Sequence, residues 1–317
     1  MLTAMRSNEI LLQKVDTKMS DVRENISEDA NQAKLQQLTH EHAGSLTRFL
    51  DQHFAPTPEL LSGHRKLFDS ARYSLLQEGG KRFRPVLAML VAEALGAKAE
   101  KVLAFAAAVE CVHTYSLIHD DLPAMDDDDM RRGQPTNHRK FDEATAILAG
   151  DALLTEAFQL IADHYQSEPV QAIKAVSELA QASGLRGMVG GQGIDMASKK
   201  ESITIDELWL MHKLKTGALI RSAARGSAQI VGATADQLNN ITRFAEDLGL
   251  AFQVADDLLD FDQAQPEPGS YPALLGPGKT RLFLEELTQS CLKSLSQFDQ
   301  RAEPLRSIAI YNQNRLV

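Results

Sequence analysis

From about residue 40 onward, apolar side chains recur every three or four positions, the spacing of one face of an α-helix. Several of these runs are apolar on nearly every face, which is typical of helices at the centre of a large bundle. Segments rich in Val, Ile and Thr with alternating polarity, the pattern of β-strands, are missing. The clearest helical runs are Pro85–Leu95, Ala99–Ile118, Glu143–His164, Val170–Ala182 and Ile205–Ala228. The pattern therefore predicts an all-α fold, a single bundle of about ten or more helices.

The remaining segments define the predicted boundaries. Residues 1–38 are polar and charged, so we expect a frayed or disordered N-terminal extension, followed by one helical domain over 39–317. Gly96 and Gly232 follow apolar runs, where helices usually end. The Gly- and Pro-rich stretch 264–279 is the clearest irregular segment late in the chain, and GGQGID (Gly190–Asp195) predicts a loop or a broken helix.

Composition then narrows the class of protein. The 317 residues carry a formal net charge of -10, whereas a nucleic-acid-binding protein normally presents a basic face. No uninterrupted apolar run reaches the ~18 residues of a membrane span, and no N-terminal segment has the pattern of a signal peptide. Cys111 and Cys291 lie in apolar surroundings without metal-ligand spacing, which predicts reduced core thiols. These features favour a cytoplasmic enzyme without nucleic-acid partners.

An acidic cluster follows one of the most apolar helical runs. Six of the ten residues from Asp120 to Asp129 are aspartates, and they begin at the C-terminal end of that helix, where the dipole is negative. Divalent cations such as Mg²⁺ would neutralise this charge, because Mg²⁺ takes carboxylate oxygens together with substrate phosphates. The alternative is a solvated acidic loop.

A second acidic cluster lies in FQVADDLLD (Phe252–Asp260). Asp256 and Asp260 are four residues apart and share a helix face, with Asp257 beside them. Like charges at this spacing destabilise a helix, so their place in an apolar run calls for a cation. Neither cluster fits a calcium-binding EF-hand loop. Two such clusters are suited to hold several metal ions around one diphosphate.

A basic motif, GGKRFRP (Gly79–Pro85), precedes a predicted helix. Lys81, Arg82 and Arg84 form a cationic cluster at the helix N-terminus, where the dipole also favours an anion. The alternative is a solvated basic turn. Neither this motif nor GPGKT at residues 276–280 is a phosphate-binding P-loop.

Three further polar residues interrupt apolar helices. Lys215 and Thr216 lie in an apolar run just before Gly217, which makes them candidate site residues. The alternative is that Lys215 is a surface lysine whose side chain extends to solvent. His113 lies on nearly the same helix face as Asp120, so it is a candidate for the same site. The alternative is a structural histidine whose ring nitrogens are hydrogen-bonded within the core.

Taken together, these segments resemble the short-chain trans-isoprenyl diphosphate synthases, and most closely their farnesyl-forming bacterial members. The likeness covers the chain from about residue 45 to the C-terminus, with several independent motifs in the same order. It is carried by GGKRFRP, VECVHTYSLIHDDLPAMDDDDMRRGQPTNH, ILAGDALL, GGQGID, LKTGALIRSAAR, GLAFQVADDLLD and SYPALLG. The resemblance implies an all-α bundle around a central cavity, a homodimer, and the two aspartate motifs facing across that cavity.

The resemblance also implies roles for individual residues. The metal is expected to be Mg²⁺, as about three ions, with Mn²⁺ as an alternative. Its main ligands are expected to be Asp120, Asp126 and Asp256, supported by Asp121, Asp257 and Asp260. The allylic diphosphate is expected to contact Arg131, Lys215, Thr216 and Gln253. The isopentenyl diphosphate is expected to contact Lys81, Arg84, His113 and Arg132. The catalytic step is expected to depend on Asp120, Asp121, Lys215 and Asp256.

The expected reaction joins isopentenyl diphosphate to dimethylallyl or geranyl diphosphate. Cations withdraw charge from the leaving diphosphate, the allylic C–O bond ionises, and the alkene of isopentenyl diphosphate attacks the carbocation. The released diphosphate is the expected proton acceptor, and an apolar cavity protects the carbocation from water. The expected product is farnesyl diphosphate.

Product length is predicted to depend on Tyr115 and its neighbour Ser116. Tyr115 lies five residues before Asp120, about 7.5 Å along the helix, so a bulky ring there would close the end of the product pocket. The alternative is an ordinary packed tyrosine.

One segment departs from the pattern of the family. After the second aspartate motif the family usually carries a longer loop with lysines, whereas here FDQAQPEPGSYPALLG follows, with no lysine before Lys279. A cation expected near the allylic diphosphate is therefore missing. An active farnesyl diphosphate synthase is the main expectation. The alternatives are a geranyl or geranylgeranyl diphosphate synthase, or a diverged, low-activity or regulatory subunit. A terpene cyclase of the same fold needs no second diphosphate site, so GGKRFRP argues against it.

Overall fold

The computed structural model describes residues 32–198, 203–265 and 269–315. Its regular structure is almost entirely helical, which confirms the predicted all-α class. In chain order the helices are α1 (residues 32–53), α2 (Ser62–Leu75), α3 (Phe83–Ala94), α4 (Leu103–Asp120), α5 (Asn137–Lys140), α6 (Glu143–His164), α7 (Pro169–Ser183), α8 (Met188–Ser198), α9 (Ile205–His212), α10 (Ala218–Ile230), α11 (Ala235–Leu259), α12 (Tyr271–Leu275), α13 (Pro277–Ser294) and α14 (Glu303–Asn314). Short 3₁₀ turns are Ala99–Val102 and Gln300–Ala302, and a π-helical turn is Lys213–Gly217.

Helix α4 is the centre of the bundle. Its residues are buried on nearly every face, and it packs against α3, α6 and α10. The alanines at 106, 107 and 108 are fully buried, and their small side chains allow these neighbours to approach closely. The C-terminal end of α4, which carries Asp120, is therefore held rigidly by the core.

A second part of the core joins the first and the last of the described helices. It is formed by apolar residues of α3, α10, α11, α13 and α14, and Leu35 of α1 is buried in it. The domain boundary predicted at residues 38 and 39 thus falls inside α1, because this helix has a face to bury. Residues 1–31 of the predicted extension lie outside the described residues. Cys111 and Cys291 are both free and buried, as predicted.

The predicted continuous helix over 205–228 is wrong in one place. A π-helical turn, Lys213–Gly217, separates α9 from α10. The backbone of α8 approaches this turn so closely that a Cβ on Gly191 would lie 2.2 Å from the backbone nitrogen of Lys215. The periodicity of apolar residues could not reveal this turn, because the widened turn accommodates a tertiary contact between α8 and the α9–α10 connection.

Three other local predictions are corrected. The GGQGID segment is neither a loop nor a broken helix but part of α8. The stretch 264–279 contains α12 and the start of α13, while residues 266–268 lie outside the described part. Finally, Met130–Arg131 (β1) pairs antiparallel with Gln134–Pro135 (β2), although no strand was expected. Positive φ angles at Arg132 (52°) and Gly133 (75°) give this hairpin the tight two-residue turn that matches strand twist.

Two helical segments are long and apolar enough to cross a membrane by length and composition, although none was expected from the sequence. These are Ala99–Asp120 and Glu143–His164. The first is the central helix of the bundle, with 72% of its most apolar window buried inside the protein. The second has one buried face, which includes Ala149 and Leu153 and packs on α4. Both therefore have the packing of bundle helices.

The contact between α4 and α10 gives a stability prediction. A Cβ on Gly226 would lie 2.2 Å from the ring of Phe105, whose side chain is fully buried. We expect Gly226→Ala to lower the free energy of unfolding by about 1–3 kcal/mol, because the two helices must separate to admit the methyl group. Urea denaturation measures the loss.

Gly63→Ala is the matched control for this prediction. A Cβ on Gly63 of α2 meets no atom within 4 Å. The substitution should leave stability unchanged or raise it by up to ~1 kcal/mol, since alanine favours the helix. Equal urea midpoints for the two variants would contradict the close contact of α4 and α10.

Candidate active site

The first acidic cluster turns back onto the end of α4. The backbone N–H of Asp126 donates to the carbonyl of Asp120 (2.9 Å), and that of Asp127 donates to the carbonyl of Leu122 (3.1 Å). Asp127 has a positive φ of 55°, which reverses the chain at this point. The first of these bonds satisfies the carbonyl of Asp120, one of those that a helix end leaves without an intrahelical partner. The turn therefore brings Asp126 back beside Asp120.

Asp120 lies in an environment that disfavours its negative charge. Burial, with a smaller contribution from the nearby Asp126, raises the pKa of Asp120 to about 6, and the charge of Lys215 opposes the rise. A divalent cation beside these carboxylates would favour their ionised forms. The electrostatics of this pair therefore suit a bound metal ion.

The neighbouring acids of the cluster hold arginines. Asp121 is 3% exposed, and it accepts hydrogen bonds from Arg131 Nε (2.7 Å) and pairs with Arg131 Nη2 (2.5 Å). Asp128 lies 3.5 Å from the same guanidinium, and Asp129 pairs with Arg139 of α5. Part of the aspartate run thus orients Arg131 and fastens the loop to α5.

A cavity of about 570 Å³ lies between the start of α3, the end of α4, the β-hairpin, the π-helical turn and α11. It brings together residues that are far apart in the sequence. They include residues predicted for each of the two diphosphate sites and one residue of the second acidic cluster. The predicted site residues on its wall are Lys81, Arg84, His113, Arg131, Arg132, Thr216 and Asp256. The apolar side chains on the wall include Leu117, Ile220 and Phe252.

The basic side of this cavity is ready to receive an anion. Arg84 Nη1 lies 3.5 Å from His113 Nε2, and Arg84 Nε is buried with no hydrogen-bond partner among the described residues. Burial, followed by the charges of Arg84 and Arg132, holds the pKa of His113 well below its usual value. His113 is therefore neutral, and the positive charge of this wall comes from the arginines and Lys81.

Arg82 also lines this cavity, but its guanidinium is paired within the protein, unlike the free cationic cluster that its motif suggested. Arg82 is only 7% exposed, and its guanidinium pairs with the buried Glu110. Its Nη2 also donates a hydrogen bond to the carbonyl of Leu75 (2.7 Å). Its φ of 46° places it in the left-handed region. The guanidinium thus ties the chain before α3 to α4. A lone glutamate in an apolar helix was the sequence signal for such a buried partner.

Lys215 projects from the π-helical turn towards the first acidic cluster. Its Nζ lies 2.6 Å from Asp195 Oδ2 of α8, and its charge lowers the pKa of Asp120. Thr216 lies on the cavity wall beside it. Gln192 of α8 is half-buried, and its buried side-chain amide atoms have no hydrogen-bond partner among the described residues. The polar residues of GGQGID therefore belong to this region.

The second acidic cluster divides its carboxylates among different directions. Asp256 pairs with Arg315 Nη2 (2.7 Å). Burial raises the pKa of Asp256, and the charges of Arg315 and Lys81 oppose that rise. Asp257 accepts a hydrogen bond from the backbone of Tyr271 (2.8 Å). Asp260 is exposed at the end of α11. Asp256 is thus the member of this cluster on the cavity wall.

Arg315 is a site residue that sequence reasoning missed. Its guanidinium lies over the ring of Phe252 at 4.5 Å and donates to the Phe252 carbonyl (3.0 Å). Gln253, predicted as an allylic-diphosphate contact, is half-buried on α11 beside Phe252 and is not on the wall of the cavity described above. No local pattern marks an arginine that follows α14 as a site residue, because only the fold brings it to α11.

The predicted product-length residues lie on α4 below the first acidic cluster. Tyr115 is 6% exposed and packs edge-on against His119, with ring centroids 5.8 Å apart. Burial raises the pKa of Tyr115 to about 12, so its phenol stays neutral. Ser116 Oγ donates to the carbonyl of His113 (3.0 Å).

The described residues contain no preformed group of three or more His, Cys, Asp or Glu side chains that could hold a metal ion by themselves. The candidate donors are carboxylates in two separate sets. Mg²⁺ usually takes one or two protein carboxylates and completes its shell with water and substrate phosphate. The residues therefore suit a metal ion that is shared with a diphosphate.

The sequence model of the Polyprenyl synthetase family matches residues 65–269. The chain belongs to this family, and it is a trans-isoprenyl diphosphate synthase. Its sequence is 46% identical to a farnesyl diphosphate synthase of Geobacillus stearothermophilus over 231 residues, 68% of this chain and 77% of the relative. It is also 41% identical to the large subunit 1 of a heterodimeric chloroplastic geranylgeranyl pyrophosphate synthase of Arabidopsis thaliana. That match spans 265 residues, 78% of this chain and 71% of the relative.

A solved structure extends the likeness to the whole bundle. The apo structure of an FPP/GFPP synthase from Zymomonas mobilis matches with a TM-score of 0.81 and 37% identity, over 88% of this chain and 98% of the other. These relatives confirm the expected fold and enzyme class. Because they are named for different product lengths, they do not decide which product this synthase makes.

The buried pair of Arg82 and Glu110 gives a prediction that separates structural from substrate-binding cations. We expect Arg82→Met to lower the free energy of unfolding by about 3–5 kcal/mol, because Glu110 would remain as an uncompensated buried charge. Lys81→Gln, at an exposed position of the same motif, should change it by no more than ~0.5 kcal/mol. Urea denaturation of both variants makes the comparison, and the double variant Arg82→Met/Glu110→Met should recover much of the loss. Wild-type stability in Arg82→Met would mean that the pair is not structural.

Proposed function

We propose that this synthase condenses isopentenyl diphosphate with dimethylallyl or geranyl diphosphate and forms farnesyl diphosphate, with release of diphosphate. The observation that carries the proposal is one cavity whose wall holds Lys81, Arg84 and Arg132 together with Asp256. This arrangement supports two diphosphate sites at one reaction centre.

The allylic diphosphate is assigned to the end of the cavity between the two acidic clusters. There Arg131 is oriented by Asp121, and Lys215 lies near Asp120. As the allylic C–O bond breaks, negative charge grows on the leaving diphosphate, and fixed cations stabilise it without reorganising. Bound Mg²⁺, held by the carboxylates of Asp120, Asp126, Asp256 and Asp260, would supply further withdrawal of charge from the leaving group.

Isopentenyl diphosphate is assigned to the arginine-rich end of the cavity. Arg84, Arg132 and Lys81 hold its diphosphate there, while neutral His113 can hydrogen-bond to an oxygen without adding charge. The apolar side chains of Leu117 and Phe252 line the same cavity, and we assign to them the exclusion of water from the carbocation. The proton lost after C–C bond formation is assigned to the released diphosphate.

The experiment is a turnover assay with Mg²⁺, dimethylallyl or geranyl diphosphate, and labelled isopentenyl diphosphate. We expect labelled farnesyl diphosphate, and we expect Asp256→Asn to reduce turnover by about 10²–10³-fold, the range for losing one electrostatic contact to a leaving group. Geranylgeranyl diphosphate as the main product would overturn the proposed product length. A cyclic hydrocarbon formed from the allylic substrate alone would identify a cyclase instead.

A second candidate is a low-activity or regulatory subunit, and the lysine-free segment after Asp260 is the observation that favours it. Against it, Lys81 and Arg315 both bring positive charge to Asp256 from other parts of the chain. These two cations support an active enzyme despite the short segment. Absence of turnover in the assay, together with stimulation of an active synthase, would favour the subunit.

We also propose that the protein is a homodimer and acts in the cytoplasm. Large apolar side chains are exposed on α6, on α7 and around the start of α8, where a second copy could cover them. They are Ile147, Leu148, Val170, Ile173, Leu185 and Val189. The mass of the purified protein in solution tests this assembly.

The buried ring of Tyr115 generates a prediction of product length. We expect Tyr115→Ala to shift the main product to chains longer than farnesyl, because the shortened side chain deepens the pocket below Asp120. Tyr115→Phe is the matched control, since it keeps the ring and should keep the product. Chromatography of the dephosphorylated products measures both, and an unchanged distribution in Tyr115→Ala would contradict the assignment.

A further inference from the structure

The second acidic cluster contains a carboxylate that is turned away from the cavity. The side chain of Asp257 is 13% exposed, compared with 35% for Asp256. Its Oδ2 accepts a hydrogen bond of 2.8 Å from the backbone N–H of Tyr271. Asp257 therefore joins α11 to the first residue of α12, across the short segment that follows the cluster.

Tyr271 carries this link further into the protein. It is 1% exposed, and its ring is stacked on that of His212, with centroids 5.5 Å apart and planes 25° apart. It also packs against Phe283 of α13, with ring centroids 5.8 Å apart. The backbone position that Asp257 fixes is thus the position from which the tyrosine ring packs against α9.

His212 completes the connection to the π-helical turn. It is the last residue of α9, directly before Lys213–Gly217, and its Nε2 lies 3.9 Å from Asp257 Oδ2. Lys215 lies within that turn, where its Nζ pairs with Asp195 and its charge lowers the pKa of Asp120. A continuous set of contacts therefore runs from the second acidic cluster, through Tyr271 and His212, to the lysine beside the first.

We infer that Asp257 is a positioning residue: it holds the start of α12 against α9 and so fixes Lys215 relative to Asp256. The inference deepens the proposed function, since it concerns the assignment of Lys215 to the allylic diphosphate. The role requires only a hydrogen-bond acceptor for a backbone N–H. A metal ligand would instead require the negative charge.

This difference in chemistry determines the test. Asp257→Asn keeps a side-chain oxygen that can accept from Tyr271 but removes the charge, whereas Asp257→Ala removes both. For a positioning residue, we expect Asp257→Asn to retain at least about one third of kcat/KM for the allylic diphosphate. Asp257→Ala should lose up to about 100-fold, the scale of a misplaced catalytic geometry. The Mg²⁺ concentration for half-maximal activity should be the same for both variants and the wild type.

The fold offers a readout that does not depend on activity or metal. Trp209, the single tryptophan of the sequence, lies on α9 before His212 and is 40% exposed, with Lys213 Nζ 4.6 Å from its ring centre. In protein treated with a chelator, Asp257→Ala and His212→Ala should shift the Trp209 emission or its quenching by iodide. Asp257→Asn should match the wild type.

The opposite pattern would overturn the inference. If Asp257→Asn lost as much activity as Asp257→Ala, needed more Mg²⁺ and left Trp209 emission unchanged, Asp257 would be a metal ligand. Far-ultraviolet circular dichroism identifies a variant that has not folded, in which case Asp257→Asn alone separates the two roles. The fluorescence comparison also applies if the wild type shows no turnover, so a failure of the proposed function is distinguishable from a failure of this inference.

Discussion

The structure depends on one constraint, the burial of a helix that must nevertheless end at a polar site. Helix α4 is enclosed by its neighbours, so the carbonyls at its C-terminal end need partners from the chain itself. The amides that follow supply them: Asp121 donates to Leu117, Leu122 to His119, and the returning Asp126 to Asp120. Backbone hydrogen bonds hold the loop after α4 against the helix end. They therefore keep the aspartate side chains close together even though their charges repel each other. The acidic cluster is therefore compact before any cation binds.

Charge around the cavity is arranged by pairing within the protein. Asp121 is paired with Arg131, Glu110 with Arg82, and Asp195 with Lys215. These pairs hold each cation in one orientation, at the cost of desolvating both partners. Asp120 is the exception, since burial and Asp126 keep its pKa raised despite Lys215. The excess of negative charge at this point is what a metal ion would relieve.

The sequence predicted the helices well because periodicity reports which side chains are buried, and burial dominates an all-α bundle. It also located both acidic clusters and the basic motif. Charge and spacing alone could not separate Arg82 from Arg84, or Asp257 from Asp256, because neighbouring residues of one motif differ only in the tertiary partners they meet; only the family resemblance gave them different expected roles. Arg315 was missed for the same reason, since its partner on α11 is distant in the chain.

The π-helical turn has a consequence for the geometry of the helices on either side. Such a turn holds one more residue than an α-helical turn, so it shifts the phase of α10 by about 100° relative to a straight continuation of α9. The two helices can therefore bury different sequence stripes while remaining nearly in line. Lys215 lies within the π-helical turn, in which Gly217 is the only buried residue, so it is part of the buried face of neither helix. A charged side chain is thus introduced in the middle of two well-packed helices without removing an apolar residue from either.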